Sequence, residues 1–423
     1  MTVQRRTVLK GLFAGFGAAA VGAPAMLAAP AVLRAQSGPI RLGFLTVKTG
    51  ALASGGIAME QGLTLYLKDR NNTLAGRPVE LFTADTGGVP ATARTKTQEL
   101  VERNQVHVII GPLAAFEALA IDDYLRQTKT PTLSVAAAED MTQRNPNPWF
   151  VRGTSTSSQC AHPMADYCAK ELKYKRMAML ADDIAYGHEM LAGFQRVFED
   201  NGGKIVQKLF PPLNAPDYGT YIAQLKPDLD GIYLGFAGSN GFKFVRQFSE
   251  YGLKDRIPLI GGMTAIDESI LQQMGDDALG IVSTCWYSAE LDNAPNKTFV
   301  AEMRQTYKVD PGFYAAAPNV EAAVLEYALK QVGGKIEDKD AFMQALRNAN
   351  VPETVRGPVK FDKYGNVVGN VYIRKVERKD RRLVNTVIKT YPDVSQFWTY
   401  NPEEFLKNPV YSRDWPPAKN LEP

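Results

Sequence analysis

Val106-His107-Val108-Ile109-Ile110-Gly111-Pro112 decides how this chain folds. A short apolar run that stops at Gly-Pro reads as a strand covered on both faces. A helical pattern follows over Ala114–Thr128, then a second strand over Thr132–Val135. The same alternation runs upstream. Ile40–Leu45 reads as a strand, and Ile57–Arg70 as a helix with Leu63, Tyr66 and Leu67 at helical spacing. Val79–Thr83 reads as a strand and Ala91–Arg103 as a helix. Strand and helix periods that trade places in this way predict βαβ units and a mainly parallel sheet.

The pattern restarts downstream. Ser157–Leu172 reads as a helix, Arg176–Ala181 as a strand, and Glu189–Asn201 as a helix stopped by Gly202-Gly203. Lys204–Phe210, Gly231–Phe236, Ile257–Ile260 and Gly280–Thr284 read as strands, with helices at Phe242–Tyr251 and Ile266–Met274. This predicts two doubly wound α/β domains in series. The helices Lys297–Tyr307, Asn319–Val332 and Asp338–Asn348 are too few for a third domain and are expected to return to the first sheet. Val359–Phe361, Asn370–Val376 and Val384–Thr390 read as short closing strands. Residues 391–423, rich in Pro, Trp and Tyr, are expected to form an ordered tail packed on the surface.

The first 35 residues differ from the rest. Arg5-Arg6-Thr7-Val8-Leu9-Lys10 is basic, Gly11–Leu33 carries no charge, and Ala35 is a small residue at a cleavage position. Residues 1–35 therefore read as a signal peptide of twin-arginine type, cleaved near Ala35. Removing it takes away Arg5, Arg6, Lys10 and Arg34 and no acid, so the formal charge moves from +3 to −1. That balance excludes a basic field for nucleic acid. The rest of the chain has no second apolar run long enough to span a bilayer, so a soluble periplasmic protein is expected. Cys160 and Cys168 are eight residues apart, about 12 Å along a helix, too far to pair with each other. All three cysteines, Cys285 included, are expected as buried thiols. Three histidines argue against a metal centre.

No P-loop, H-E-x-x-H, C-x-x-C or G-x-S-x-G motif is present. Gly235-Phe236-Ala237-Gly238 lacks dinucleotide spacing, and Asp182-Asp183 reads as a solvated loop rather than an acid pair. No catalytic, metal-binding or cofactor-binding set emerges, which favours a binding protein over an enzyme. Open α/β sheets bind ligands beyond the carboxyl ends of their strands. Those loops hold Phe116, Tyr186, Phe236, Trp286 and Tyr287, a set of aromatics that favours a flat ligand. Ala115 and Ala136-Ala137-Ala138 are small enough for a carboxylate to approach backbone N–H groups at a helix start.

Several segments, taken in order, resemble a known family: the export segment, Ile40-Arg41-Leu42-Gly43, Ile109-Ile110-Gly111-Pro112, Tyr186-Gly187 and Phe361-Asp362-Lys363-Tyr364-Gly365. The set is similar to the leucine/isoleucine/valine-binding family of periplasmic solute receptors for ABC transporters, over roughly residues 38–390. The resemblance implies the type I periplasmic binding fold, with two mainly parallel lobes joined by three hinge crossovers near Arg152–Ser157, Cys285–Glu290 and Arg356–Lys360. It implies lobe 1 from 38–153 plus 287–357, and lobe 2 from 154–286 plus 358–390. It also implies closure on a small-molecule ligand and delivery to a membrane permease, with the receptor expected as a monomer.

The family's amino-acid receptors carry Ser at the position of Ala115, Thr near Ala138, and an acid where Met263 stands. All three are apolar here. Glu117 is the nearby candidate for an ammonium, and Tyr186 is retained. The tail resembles that of aromatic-acid receptors. A small aromatic carboxylate of the hydroxybenzoate or phenylpropanoid type is therefore expected. Branched-chain amino acids are the alternative ligand, and a signalling sensor is the alternative role.

Overall fold

The computed structural model describes residues 38–423, so the expected signal peptide lies outside the described residues. One sheet has the strand order Thr73–Leu74, Arg77–Asp85, Ile40–Thr46, Val108–Ile110, Thr132–Leu133 and Phe150–Val151. Ile40–Thr46 pairs in parallel with Val79–Asp85 on one side and, through Leu42–Phe44, with Val108–Ile110 on the other. Both faces of these strands are covered. Leu42, Phe44, Val108 and Ile110 enter one core cluster, while Leu45 and Ile109 enter another with Ile121 and Leu125. Burial on both sides is why the strands read as continuous apolar runs.

A second sheet runs Asn350–Val351, Val359–Phe361, Val367–Lys379, Val282–Cys285, Leu259–Gly261, Gly231–Gly235, Arg176–Ala181 and Lys204–Leu209, with Arg382–Val394 also paired to Val367–Lys379. Its middle strands are parallel. Met177, Met179 and Tyr233 face one core cluster and Ala178, Leu180, Ile232 and Leu234 the other. Of the three closing strands, Val359–Phe361 is short as expected, but the other two are longer and form a hairpin of two 13-residue strands, turned at Asp380 and Arg381, both with positive φ. Its outer end carries Glu377, Arg378 and Lys379, so it lacks the apolar alternation that marks a strand in sequence.

Between the sheets the chain passes first through Arg152–Thr156 and then along the Ser157–Lys170 helix, which packs on the Ala185–Asp200 helix of the second half. After Cys285 it returns to the first half. There the Phe313–Gln331 helix packs along the Ala53–Lys68 helix. That helix begins six residues before the expected Asn319, because Pro318 sits inside it and hides the start. Its contact with Ala53–Lys68 is backbone to backbone: a Cβ on Gly62 would lie 1.9 Å from the Ala315 carbonyl oxygen.

Arg152 is fully buried where the halves join. Its Nε donates to the Ala136 carbonyl at 2.8 Å, and its Nη1 to Thr142 Oγ1 and Asn366 Oδ1, both at 3.0 Å. Its Nη2 donates to the Ala138 carbonyl. Its own N–H donates to the Gly365 carbonyl, and its carbonyl accepts from Val367 N–H. Arg356 donates to the Gly153 and Thr154 carbonyls and lies 4.8 Å over the Trp286 ring. The tail beyond Val394 inserts Phe397, Phe405 and Tyr411 beside Ala192. It also meets Arg144, which donates to the Asn408 and Pro409 carbonyls.

Gly62→Ala is expected to force the two helices apart and to lower unfolding stability by about 1–3 kcal/mol, the usual cost of overpacking. Urea denaturation of the two proteins measures this directly.

Candidate functional site

The strand ends of both halves face a common cleft, as the rule for open sheets requires. In the first half the Val108–Ile110 strand ends at Gly111, and the Ala115–Thr128 helix starts after Ala114. Gly111 has φ +116°, and a Cβ there would lie 2.2 Å from the Leu45 carbonyl oxygen, so only glycine fits. In the second half Ile184, Tyr186, Ala237 and Thr264 follow three strand ends. The cleft narrows to a cavity of about 30 Å³ lined by Leu52, Leu113, Ala114, Ala115, Val135, Ala137, Ile184, Tyr186, Ala237, Thr264, Phe313 and Tyr314.

The wall of this cavity holds no charged side chain. Its polar groups are hydroxyls and backbone. The Tyr186 hydroxyl lies 2.9 Å from Thr264 Oγ1, which donates to the Phe236 carbonyl at 2.7 Å. Thr264 has spent its proton, so Tyr186 donates to it. The Tyr314 hydroxyl accepts from Gly238 N–H at 3.1 Å. Burial pushes the Tyr186 and Tyr314 hydroxyls well above the usual phenol range, so both stay protonated. The N–H groups of Ala115 and Ala137 have no acceptor among the described residues. The Ala115 N–H stands at the start of a 14-residue helix, where the backbone favours an anion.

Nearby acids are already engaged. Glu117 is buried with its carboxylate folded back on the helix start, accepting from Ala114 N–H at 3.0 Å and from the Thr86 hydroxyl. Burial raises its pKa. Asp182 is not a solvated loop residue. It is buried and accepts from Ala237 N–H at 2.8 Å and Asn240 Nδ2 at 2.7 Å, with burial raising its pKa to about 7. Asp267 bridges the cleft. Its Oδ2 accepts from Phe313 N–H at 2.7 Å, and its Oδ1 from Ser269 N–H at 3.0 Å. One carboxylate thus caps helices that belong to different halves.

Of the residues singled out in the sequence, Ala115, Ala137 and Tyr186 share the cavity wall. The others lie outside it. Ala136 and Ala138 lend their carbonyls to Arg152. Phe116 packs half-buried against the core. Phe236 is fully buried against Tyr218 and Phe244. Met263 is buried and its sulfur accepts from Ser155 Oγ at 3.1 Å. Trp286 packs on Phe313, and Tyr287 donates to Asn296 Oδ1 at 2.7 Å. Phe236, Met263, Trp286 and Tyr287 lie just past their strands and are packed into the core, so a place at a strand end does not fix where a side chain points. Phe313 and Tyr314 were not singled out. The Pro311-Gly312 pair just before them was the available signal of a helix start.

Behind the Ala136–Ala138 loop lies a buried carboxyl pair. Glu139 Oε1 accepts from Ser158 N–H at 3.1 Å. Glu189 Oε2 accepts from Ser157 Oγ at 2.6 Å, and its Oε1 from Glu139 N–H at 3.3 Å. Burial is the main cause that raises both pKa values, Glu139 to about 7, against the pull of Arg144 on Glu139 and of Arg152 on Glu189. The three cysteines are buried free thiols.

Two doubly wound halves around a closed, uncharged cleft define a solute receptor. The chain belongs to the periplasmic binding protein family, whose model matches residues 39–381. It is 26% identical over 350 residues to Leu/Ile/Val-binding protein homolog 6 of Brucella abortus, covering 81% of this chain and 88% of the relative. Among solved structures, an ABC transporter substrate-binding protein from Sphaerobacter thermophilus is 33% identical with a TM-score of 0.79, covering 85% of this chain and 99% of that one. A solute-binding protein of an ABC transporter from Rhodopseudomonas palustris BisB5, in complex with 3,4-dihydroxybenzoic acid, is 32% identical with a TM-score of 0.81, covering 85% and 98%. The family consists of extracytoplasmic receptors that bind small molecules and deliver them to ABC permeases, not of enzymes.

Asp267→Ala is expected to leave Phe313 and Ser269 N–H groups without an acceptor, lowering stability by on the order of 2 kcal/mol. Urea denaturation checks it. The carboxyl pair gives a pH signature. An acid with a raised folded pKa favours the native state below its unfolded value, about 4.5, and loses that contribution as pH climbs through about 7. Unfolding midpoints are therefore expected to fall from pH 5 to pH 8. Glu139→Gln, which cannot ionise, should flatten that slope by on the order of 2 kcal/mol.

Proposed function

We propose that this receptor binds an aromatic carboxylate of the hydroxybenzoate or phenylpropanoid type between its halves, acting as a single chain that closes on the ligand for an ABC importer. The observation that carries this reading is the uncharged cavity wall. An α-amino acid brings a buried ammonium, which needs a carboxylate partner. Glu117, Asp182 and Asp267 are each held by donors from their own surroundings. A carboxylate, in contrast, has the Ala115 and Ala137 N–H groups to accept from, and a ring has Tyr186, Phe313 and Tyr314 to lie between. The Tyr186 and Tyr314 hydroxyls then suit a hydroxyl on the far end of the ring. The relative from Rhodopseudomonas palustris, crystallised with 3,4-dihydroxybenzoic acid, supports the same class of ligand.

Thermal denaturation with 4-hydroxybenzoate, benzoate, ferulate, leucine and valine tests it. An aromatic acid at about 100 times its Kd should stabilise the protein by about 2.7 kcal/mol. Leucine and valine should leave the melting temperature unchanged. Tyr314→Phe should weaken 4-hydroxybenzoate relative to benzoate by roughly 2–10-fold, the worth of one net hydrogen bond. Stabilisation by leucine or valine without any by the aromatic acids would overturn the reading, and would mean that one of the engaged acids releases its donors to take an ammonium.

A further inference from the structure

Behind the cavity wall, the Ala136–Ala138 loop is backed by two acids that line no part of the cavity. Glu139 follows that loop in the first half, and Glu189 belongs to the Ala185–Asp200 helix of the second. Glu139 is fully buried and Glu189 is 4% exposed. Hydrogen bonds bring them together. Glu189 Oε1 accepts from the Glu139 N–H at 3.3 Å. The two side chains also hold neighbouring residues of one helix start: Glu139 takes the Ser158 N–H at 3.1 Å, and Glu189 meets the Ser157 hydroxyl at 2.6 Å. Glu139 Oε2 has no hydrogen-bond partner among the described residues, so a proton added there breaks no bond.

Ser157 connects the pair to the cavity wall. Its hydroxyl lies 2.6 Å from Glu189 Oε2 and 3.1 Å from the Ala137 carbonyl oxygen. A hydroxyl has one proton for these two acceptors. With Glu189 ionised, that proton goes to the carboxylate, the stronger acceptor. With Glu189 protonated, the acid donates to Ser157 and the hydroxyl turns to Ala137, so every group is satisfied. Electrostatics point the same way. A ligand carboxylate on the Ala137 N–H would sit two residues from Glu139, at most about 7 Å of chain. In a buried setting a third negative charge at that range favours the protonated pair.

The surrounding charges come from four other segments. Arg152, in the crossover, donates to the Ala136 and Ala138 carbonyls and feels Glu321 and Asp362 as well as the pair. Arg144, on the segment of Glu139 itself, pairs with Asp140 at 3.2 Å. His162, one turn beyond Ser158, is pulled down to about 3 by burial and is neutral. Tyr411 of the tail, which accepts from Arg196, is raised above the usual phenol range and stays protonated. Burial raises the Glu139 pKa to about 7 and raises that of Glu189 too. The pair can therefore change charge near neutral pH while its histidine and tyrosine neighbours do not.

We infer that the receptor takes up a proton together with its carboxylate ligand, at the Glu139–Glu189 pair behind the cleft. This rests on the aromatic-carboxylate reading above. Affinity is then set by the pH outside the membrane, tight in acid and looser in alkali, although the charge of the ligand does not change. Release of the ligand returns the proton.

Benzoate, which stays ionised throughout the range, is the probe. Isothermal titration at pH 7.5 in phosphate and in Tris, whose ionisation enthalpies differ, should show uptake of about half a proton per benzoate. Affinity should fall roughly fivefold to tenfold from pH 6 to pH 8.5, since one pKa unit of coupling is one factor of ten. Both readings use the unaltered protein, so a variant that fails to fold does not hide the result. Glu139→Gln should abolish most of the uptake and flatten the profile. Asp182→Asn and Glu321→Gln, which remove other buried acids raised to about 7 and about 8, should keep both. Benzoate binding without proton uptake would overturn the proposal. So would uptake that survives in Glu139→Gln and vanishes in Asp182→Asn or Glu321→Gln. Absence of benzoate binding at every pH would overturn the proposed ligand, and this inference with it.

Discussion

The buried guanidinium of Arg152 is the constraint on which the rest of the molecule depends. It stands where the chain leaves the first sheet, and it donates to the carbonyls on either side of Ala137. Those carbonyls belong to a loop with no strand partner, and buried carbonyls without partners are costly. By holding them, Arg152 fixes the direction of the Ala137 N–H at the cavity wall. The same guanidinium reaches Asn366 of the second half, and its backbone bonds to Gly365 and Val367. The cavity-wall loop and the crossover between the halves therefore share one side chain. Burial pulls the Arg152 pKa down to about 10, still well above neutral, so the group stays charged at neutral pH.

The hinge acids then fall into order. Glu321 Oε1 accepts from Gly153 N–H at 2.8 Å, next in the chain to Arg152. Glu139 and Glu189 hold the start of the Ser157–Lys170 helix from opposite halves. All three have pKa values raised mainly by burial. Neutral carboxyls cost less to bury than charged ones, and a helix start supplies donors for them. The crossover is thus polar yet buried, with its acids held by donors from both halves.

The fold was legible because parallel strands covered on both faces leave apolar runs such as Val108–Ile110 that helices interrupt at regular intervals. The wall of the candidate cavity was legible in part. Ala115, Ala137 and Tyr186 sit at strand ends, where the fold class places ligands. Phe313 and Tyr314 come from a helix that returns from far along the chain, and nothing local marks which sheet it will cover. Phe236 and Trp286 stand at strand ends too, but their side chains turn inward to the core. Glu117 illustrates the same limit. Its bond to Ala114 follows from spacing in the helix, whereas Thr86, which takes its second oxygen, is 31 residues away.

The size of the cavity bears on how binding proceeds. About 30 Å³ is a fifth of the roughly 150 Å³ that a dry protein cavity uses to hold one benzene ring. The proposed aromatic ligand therefore enters only when the walls separate, and the contacts that now hold them must yield. Those contacts include Gly238 N–H to Tyr314 and Phe313 N–H to Asp267. At about 0.5–1.5 kcal/mol net each, they oppose opening by about 1–3 kcal/mol, or roughly 5–150-fold in population. The hydroxyl of Tyr314 is shared between the two states: it holds Gly238 when the cleft is shut and is a natural partner for a polar substituent when the cleft is filled. A ligand that satisfies this hydroxyl replaces a bond the empty protein already makes. On the proposed reading, one that lacks a polar group there leaves the hydroxyl unpaired on opening, so the side chain that closes the empty cleft would also select what fills it.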